Sequence, residues 1–387
     1  MYDLDNLTRG RPFPHPLSHF PCALPARYGV HLFHTKFPRV WDYITRFSQW
    51  IPYEHRVKAL LKTHTNDFKI VPVPPSQETV NTLFGATVTS EAEMEAWLAD
   101  HKPAEDGTEA QNGEESAIRR AGPELYEAVF KYYTYKQWDK WPAQLDASVL
   151  ARIPVRTNRD DRYFSDPIQA LPARGYSRLF ENMILGNDKI DVRLDFDYFA
   201  MKEHLPDMGM LVFTGPIDAY YASLGMPKLE YRSLKFTKEY HEPEGGYYQE
   251  ALQVNYCGMT GHEEQDVPYT RIVEYKHKPN QPQGVKERPG TVVYKEFSCD
   301  DGEPYYPVPN PDNRKLYEKY KAMAEKEEGV CFVGRLASYK YFNMDQAILN
   351  ALEIFDGLVA EGKMGPVDPS ARHAAAKTEL GPGDGPK

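Results

Sequence analysis

The sequence pattern changes near Pro154, and this change constrains the fold more than any other feature of the chain. Before it, apolar residues recur at helical spacing over 40–50 and 115–138. After it, β-branched and aromatic residues come in near alternation, which is typical of strands with one covered face. The segments with this alternation are ALQVNYC (251–257), TRIVEYKH (270–277) and VVYKEF (292–297). The pattern predicts a mixed α/β (α+β) chain with a helical part and an antiparallel sheet.

Two further segments predict buried strands that end at a glycine turn. They are Met210 to Thr214 and VCFVGRL (330–336), and such strand ends are where α/β folds bind ligands. The second segment leads into an apolar stripe at helical spacing, with Asn343 as the predicted N-cap and Asp345 in the first turn. The stripe consists of Met344, Ala347, Ile348, Ala351, Leu352 and Phe355.

Three more segments are interpreted from composition and periodicity. VPVPPSQETVNTLFG (71–85) predicts a proline-bound loop that becomes a helix near the SQE-T stretch. Residues 98–116 are acidic and nearly free of bulky apolar side chains, which predicts an exposed excursion between helices. Residues 1–27 predict an irregular N-terminus, and residues 363–387, rich in Pro, Gly and Ala, predict a disordered tail.

Composition excludes several classes of protein. With 387 residues the chain is long enough for two or three packed units. A net charge of −10 argues against nucleic acid as a partner, and no apolar run approaches the roughly 18 residues that a membrane span needs. The cysteines lack metal-ligand spacing, so we expect no metal site and interpret them as free thiols in a reducing cytoplasm. They are Cys22, Cys257, Cys299 and Cys331.

Arginine and tyrosine recur together in six short segments. A guanidinium group donates two parallel hydrogen bonds and stays charged at neutral pH, and phenols add hydroxyl donors, so this pairing suits a diphosphate. Each segment also has a structural interpretation, such as core packing for Trp138 or an exposed cross-strand ion pair for Arg271. The segments are FKYYTYKQW (130–138), ARIPVR with DDRYF (151–164), FTGPID (213–218), YRSLKF (231–236), PYTRIVEYKH (268–277) and GRLASYKYFNMDQAI (334–348).

These segments, with YGVHLFHT (28–35), resemble the UDP-galactopyranose mutase family in order from about Tyr28 to about Leu352. The resemblance implies an isomerase that interconverts UDP-galactopyranose and UDP-galactofuranose through a sugar adduct on N5 of reduced FAD. It implies a truncated Rossmann-like FAD-binding domain with an inserted helical domain and an antiparallel sheet domain. The implied parts are the FAD-binding domain (28–70, 175–227 and 323–362), a helical uridine-binding domain (71–150) and the sheet domain (151–174 and 228–322).

The resemblance also implies roles for individual residues. Arg152, on a mobile loop, and Arg271 would grip the diphosphate during catalysis, and His34 would lie near the reactive nitrogen of the flavin, although a structural histidine is the alternative. The implied substrate contacts are Ser76, Phe130, Tyr133, Thr134, Trp138, Tyr163, Tyr306 and Tyr341, and the implied cofactor contacts are Gly334, Arg335, Asn343 and Met344.

The sequence departs from the family pattern at several positions. The family has an aromatic residue at Val129, asparagine at Ser76 and aspartate at Asn343, so weaker base stacking is expected and a charge is lost. No G-x-G-x-x-G turn occurs in the 387 residues, although the family uses one to hold the pyrophosphate of FAD. Without the strands around that turn, the strands at Met210 and Val330 would keep unpaired edges.

Three functions therefore stay open at the level of sequence. The first is a mutase that binds UDP-galactose and FAD in the cytoplasm, as a possible homodimer, for the synthesis of cell-wall galactofuranose. The second is a non-catalytic UDP-sugar-binding protein, because the uridine and diphosphate segments are present whereas the glycine turn is not. The third is a nonfunctional truncated gene product.

Overall fold

A computed structural model describes residues 29–364, apart from 105–106, 186, 207–208, 259–266 and 283. The predicted irregular N-terminus and nearly all of the predicted disordered tail lie outside these residues. The strands are β1 (Phe33–Thr35), β2 (Trp50–Pro52), β3 (Val57–Lys62), β4 (Phe68–Val73), β5 (Ile168–Pro172), β6 (Leu211–Phe213), β7 (Tyr231–His241), β8 (Gln253–Tyr256), β9 (Arg271–Glu274), β10 (Thr291–Cys299), β11 (Tyr306–Pro307) and β12 (Val330–Phe332).

The helices include several short ones. The α-helices are α1 (Pro38–Ile44), α2 (Gln77–Phe84), α3 (Glu91–His101), α4 (Gly113–Ala121), α5 (Pro123–Leu125), α6 (Tyr132–Trp138), α7 (Ala147–Ala151), α8 (Gly175–Ile184), α9 (Tyr198–Met201), α10 (Ile217–Tyr220), α11 (Pro311–Ala324), α12 (Gly334–Ala337) and α13 (Met344–Ala360). Tyr126–Lys131 is π-helical, and 3₁₀ turns occupy Pro142–Gln144, Lys202–His204, Ala222–Leu224 and Tyr275–His277. No helix within the described ranges combines the length and the apolar character needed to cross a lipid bilayer.

A seven-stranded sheet in the order β11-β7-β10-β9-β8-β3-β4 is the largest element of the fold. The three alternating segments form β8, β9 and β10, which pair antiparallel and confirm the predicted sheet. β3 joins β8 in parallel and β4 pairs antiparallel with β3. The sequence assigned 28–70 to a cofactor-binding unit, whereas the hydrogen bonds place 57–73 in this sheet. The other domain boundaries stay predictions.

A helical layer packs on the β3–β4 end of the sheet. Every second residue of β3, namely Val57, Ala59 and Leu61, is buried, because successive strand residues face opposite sides. These side chains belong to one core with Val80 of α2 and Phe130 of the π-helical turn. This packing holds the aromatic segment 130–138 over the sheet.

Several predicted boundaries in this layer were wrong. Residues 71–73 are the end of β4 rather than loop, although the helix predicted near the SQE-T stretch is confirmed as α2. The exposed excursion is shorter than 98–116, because α3 continues to His101 and α4 begins at Gly113. Leu98, the first residue of that segment, is buried in the core, whereas Ala99 and Asp100 are exposed.

A small antiparallel sheet, β1-β5-β2, carries the segment with His34. Trp50 pairs with Pro172 in this sheet, so the helix predicted over 40–50 ends at Ile44. Phe33, Val40 and Ile44 form a core against which Met344 of α13 packs.

The two predicted buried strands, β6 and β12, pair with each other in parallel. The prediction of strands is confirmed, but the prediction of burial was wrong, since Val212 is 46% exposed and Val330 to Phe332 are half-buried. No further strand pairs with either of them among the described residues. Residues 334–336 were also wrongly assigned to the strand, because Gly334 begins α12.

Helix α13 begins where the sequence predicted. The backbone amide of Asn343 donates to Oε1 of Gln346 at 2.8 Å, an arrangement that satisfies one free group at the helix N-terminus. The predicted apolar stripe is half-buried, except that Ala351 is exposed.

Candidate active site

Arg271, the first residue of β9, is paired with a fully buried carboxylate. Its Nε donates to Oε2 of Glu296 at 2.6 Å, and the two residues lie opposite each other in the β9–β10 register. The side chain of Arg271 is 17% exposed and that of Glu296 is 0% exposed, so this cross-strand ion pair is buried rather than exposed at the surface. Burial is the largest single effect and opposes the charge of Arg271, but Glu296 together with Tyr133 and Tyr306 outweighs it and holds the pKa of the guanidinium well above its usual value.

Arg152 approaches from the helical layer, where it follows α7. Its guanidinium carbon lies 3.8 Å from the centre of the Tyr341 ring, and Nη2 donates to Oδ1 of Asn343 at 2.8 Å. The positive charges of Arg152 and Arg271 both act to lower the pKa of Tyr163, although burial is the larger effect and raises it. Both arginines therefore lie near enough to Tyr163 to act on its hydroxyl electrostatically, despite their distance along the chain.

Aromatic rings line the space between these arginines. The ring of Trp138 lies 6.2 Å from that of Tyr306 and 5.8 Å from that of Tyr341, centre to centre. Arg335 lies over both tyrosines, 5.0 Å from the centre of the Tyr306 ring and 4.5 Å from that of Tyr341. Its Nη1 donates to the Phe342 carbonyl, whereas the buried Nε and Nη2 have no partner within the described chain. Two donors are therefore left for an acceptor from a ligand.

Three phenols of this cluster, those of Tyr133, Tyr163 and Tyr306, stay protonated at neutral pH. Burial raises the pKa of Tyr133 and of Tyr163, and it raises the pKa of Tyr306 to about 12. A protonated phenol donates a hydrogen bond, so each can serve an anionic oxygen.

The predicted uridine contacts lie where the helix changes pitch. Phe130 is the last residue but one of the π-helical stretch, and Tyr133 and Thr134 lie in the first turn of α6. Phe130 and Thr134 are buried and Tyr133 is half-buried. Such π-helical turns are frequent at functional sites. Ser76 is buried at the start of α2, where its amide donates to Oγ1 of Thr79, and the structure records no contact between it and the other three residues.

His34 is held by a carboxylate and an aromatic ring. The Asp166 carboxylate accepts a hydrogen bond from Nδ1 of His34, which leaves Nε2 as the free ring nitrogen. Phe164 stacks on the imidazole at 3.6 Å between ring centres. Phe164 also lies against His55 in a tilted arrangement and edge-on to Tyr163, so His34 is joined through Phe164 to the phenol on which both arginines act.

The predicted cofactor residues lie at the start of α12 and α13. Gly334 has φ +89°, which favours glycine, and its amide donates to Oδ1 of Asn350. No atom lies within 4 Å of the position that a Cβ would take there. Met344 packs into the core beside β1. In the part of the chain that the structure describes, no group of three or more His, Cys, Asp or Glu could hold a metal ion.

Sequence reasoning missed four residues of this cluster. Glu296 pairs with Arg271, and Asp166 and Phe164 hold His34. The fourth residue, His55, lies between the Arg271 pair and the residues that hold His34. Asp166 and Phe164 lie in or next to the DDRYF segment, so that segment was a signal for them.

The sheet, the helical layer and the cluster of arginines and protonated tyrosines define an α/β protein suited to a polyanionic ligand. A family model for UDP-galactopyranose mutase matches residues 128–341. The chain belongs to the UDP-galactopyranose mutase family, and it is therefore a homologue of isomerases.

Two relatives and one solved structure show how far the similarity extends. A probable UDP-galactopyranose mutase of Klebsiella pneumoniae is 39% identical over 332 residues, which cover 85% of this chain and 80% of that protein. A dTDP-fucopyranose mutase of Escherichia coli is 36% identical over 334 residues, covering 84% and 83%. A crystal structure of reduced UDP-galactopyranose mutase matches with a TM-score of 0.58 at 15% identity, over 90% of this chain and 86% of that one. This last match concerns the fold alone.

Proposed function

We propose that this chain interconverts UDP-galactopyranose and UDP-galactofuranose. The observation that carries the proposal is that Arg152 and Arg335 both lie over the ring of Tyr341, with two unmatched donors on Arg335, while Arg152 and Arg271 both act electrostatically on Tyr163. The family membership supports a mutase over a protein that only binds UDP-sugars. We further propose that the enzyme works in the cytoplasm, as a homodimer, in the synthesis of cell-wall galactofuranose.

The residues of the site would act mainly by holding charge and geometry. Arg152 and Arg271 would bind the diphosphate and keep it close when the bond to the sugar breaks. Tyr163, Tyr306 and Tyr341 would donate hydroxyl hydrogen bonds to its oxygens. In the same proposal the aromatic segment 130–138 and Ser76 bind uridine, and Trp138 lies beside the sugar.

The described residues suit the ring end of a flavin. The site has three buried polar atoms without a partner that could contact a planar, polar ligand. They are Nε and Nη2 of Arg335 and Nδ1 of His55. Gly334, Asn343 and Met344 would complete that contact, and His34 would hold its free nitrogen towards the ring. Reduced FAD, when bound, supplies the nucleophile for the anomeric carbon of the sugar.

The test measures conversion of UDP-galactofuranose by the FAD-loaded, chemically reduced protein. We expect Arg271→Ala to lower turnover by a factor of about 10² to 10³, as loss of one preorganised charge contact does in other enzymes. Since this change leaves Glu296 buried and unpaired, the double variant Arg271→Ala/Glu296→Gln is measured as well. The exposed Arg46, changed to alanine, is the control. dTDP-fucopyranose is offered as a competing substrate because of the second relative.

Two outcomes would contradict the proposal. A colourless purified protein that binds UDP but never takes up FAD would favour a non-catalytic binding protein. Full turnover in both variants at Arg271 would remove this residue from the mechanism.

A further inference from the structure

Arg152 is exposed, yet its guanidinium is held by two contacts with the segment before α13. Its carbon lies 3.8 Å from the centre of the Tyr341 ring, and Nη2 donates to Oδ1 of Asn343 at 2.8 Å. An exposed arginine ordinarily samples many rotamers, so losing that freedom has an entropic cost. The ring fixes the plane of the guanidinium and the amide oxygen fixes its direction, so the two contacts together select one orientation.

The backbone that carries Arg152 is held independently of these contacts. Arg120 of α4 donates from Nη2 to the carbonyl of Leu150 at 2.6 Å and from Nη1 to that of Ile153 at 2.7 Å. These two carbonyls lie on either side of Arg152 along the chain. Because the backbone is fixed there, the position of the Arg152 guanidinium depends on what its side chain contacts.

The start of α13 does not rest on Asn343 alone. Asn343 is the N-cap, where an asparagine oxygen ordinarily accepts from the amide of the third helical residue. That amide belongs to Gln346, and it donates to Oδ1 of Asp345 at 2.8 Å. The first turn of the helix therefore has another acceptor, and Oδ1 of Asn343 serves Arg152.

The acceptor that Asn343 offers to Arg152 carries no charge. Arg335 lies over the same Tyr341 ring at 4.5 Å, so two guanidinium groups share one phenol. Neither arginine forms an ion pair with a carboxylate in the described part of the chain. A carboxylate at position 343 would pair with Arg152 and repel an incoming diphosphate, whereas the amide orients the guanidinium and leaves its charge available.

We propose that Asn343 is a positioning residue that orients Arg152 over Tyr341 before the diphosphate of a nucleotide sugar binds. It acts through a neutral hydrogen bond, which orders the arginine without cancelling its charge. Binding then loses less side-chain entropy than it would with a freely moving arginine. The proposal rests on the proposed function, since it requires that Arg152 bind the diphosphate.

The test measures the dissociation constant of UDP for the full chain by calorimetry, in a double-variant cycle. Asn343→Ala should raise this constant about fivefold, as the loss of one net hydrogen bond does. Arg152→Ala should raise it about tenfold or more, because a charged contact with the diphosphate is lost. Added to Arg152→Ala, the change Asn343→Ala should have an effect of less than about twofold, since Asn343 acts through the arginine. A role in capping α13 or in contacting the flavin would instead act equally in both backgrounds.

A charged variant tests whether the neutrality of the acceptor matters. Asn343→Asp keeps an acceptor for Arg152 but adds a carboxylate, so UDP should bind about tenfold more weakly at low salt and the loss should shrink at high salt. Asn112→Ala is the control for the loss of a helix cap. Asn112 caps α4 by accepting from the amide of Glu115 at 2.9 Å, and its removal should leave UDP affinity unchanged.

The outcomes separate this inference from the proposed function. If Asn343→Ala has the same effect with and without Arg152, or no effect in either background, the inference is wrong and the mutase proposal survives. The same holds if Asn343→Asp binds UDP as tightly as the unchanged chain. If Arg152→Ala binds UDP as tightly as the unchanged chain, both the inference and the proposed role of Arg152 at the diphosphate fail. Circular dichroism checks that each variant folds.

Discussion

His55 makes stability depend on pH through one buried imidazole. Burial, with the charges of Lys278 and Arg271, lowers its pKa to about 3 from a usual 6.5. The unfolded chain therefore binds a proton between these values that the folded chain does not, and stability falls as the pH falls through this range. At pH 4.5 the loss due to His55 is about 2 to 3 kcal/mol relative to pH 7. Urea unfolding at the two pH values measures it.

His55→Gln separates this contribution from that of other groups. Glutamine does not titrate, so the variant should lose about 2 to 3 kcal/mol less than the unchanged chain between pH 7 and pH 4.5. Equal losses in the two proteins would mean that His55 is protonated without penalty in the folded state.

At the level of single residues, the sequence indicated the arginines and tyrosines of the site but not the side chains that hold them in place. Arg271 and Tyr163 were visible because their residue types suit a diphosphate. Glu296 was not, since its role depends on lying opposite Arg271 across two strands, and that register cannot be derived from one strand. The contact of His34 with Asp166 likewise depends on the fold, because it joins distant parts of the chain.

Gly122 and Gly175 form a matched pair for testing how tightly the helical layer is packed. Both have φ +81°, where an alanine is strained. A Cβ at Gly122, between α4 and α5, would lie 2.6 Å from the carbonyl oxygen of His101, whereas nothing lies within 4 Å of a Cβ at Gly175. We expect Gly175→Ala to cost about 1 kcal/mol and Gly122→Ala clearly more, measured by urea unfolding.

The difference between the two variants isolates the steric contact, because the backbone strain is common to both. If Gly122→Ala and Gly175→Ala lower the free energy of unfolding equally, the backbone between α4 and α5 accommodates a methyl group at little cost. The helical layer would then be looser than its contacts indicate.

Elements with a strong local pattern were predictable, whereas their surroundings were not. Near alternation gave β8, β9 and β10, and helical periodicity with Asn343 gave the start of α13. The predicted burial of β6 was wrong, because an apolar run indicates a strand but not what covers its faces. The π-helical turn before α6 has no sequence signal of its own, although it carries Phe130.

Three parts of the molecule meet at the site, and this arrangement allows a ligand to couple them. Trp138 belongs to the helical layer, Arg271 to the large sheet, and Tyr341 to the segment before α13. Arg152 already joins the first and third parts through its contacts with Tyr341 and Asn343. A nucleotide diphosphate that contacts all three should therefore stabilise them together.

Hydrogen exchange with and without UDP tests this coupling in the whole chain. At a hundred times its dissociation constant, UDP should stabilise the folded state by about 2.7 kcal/mol, and slower exchange should appear together in 126–138, 271–274 and 334–348. Uridine, which lacks the diphosphate, should slow exchange in 126–138 alone, because the arginines have no phosphate to bind. Slower exchange with UDP in only one of the three segments would show that the diphosphate does not bridge the helical layer, the sheet and α13. The proposal that Arg152 and Arg271 together bind the diphosphate would then be wrong, even if UDP binds tightly.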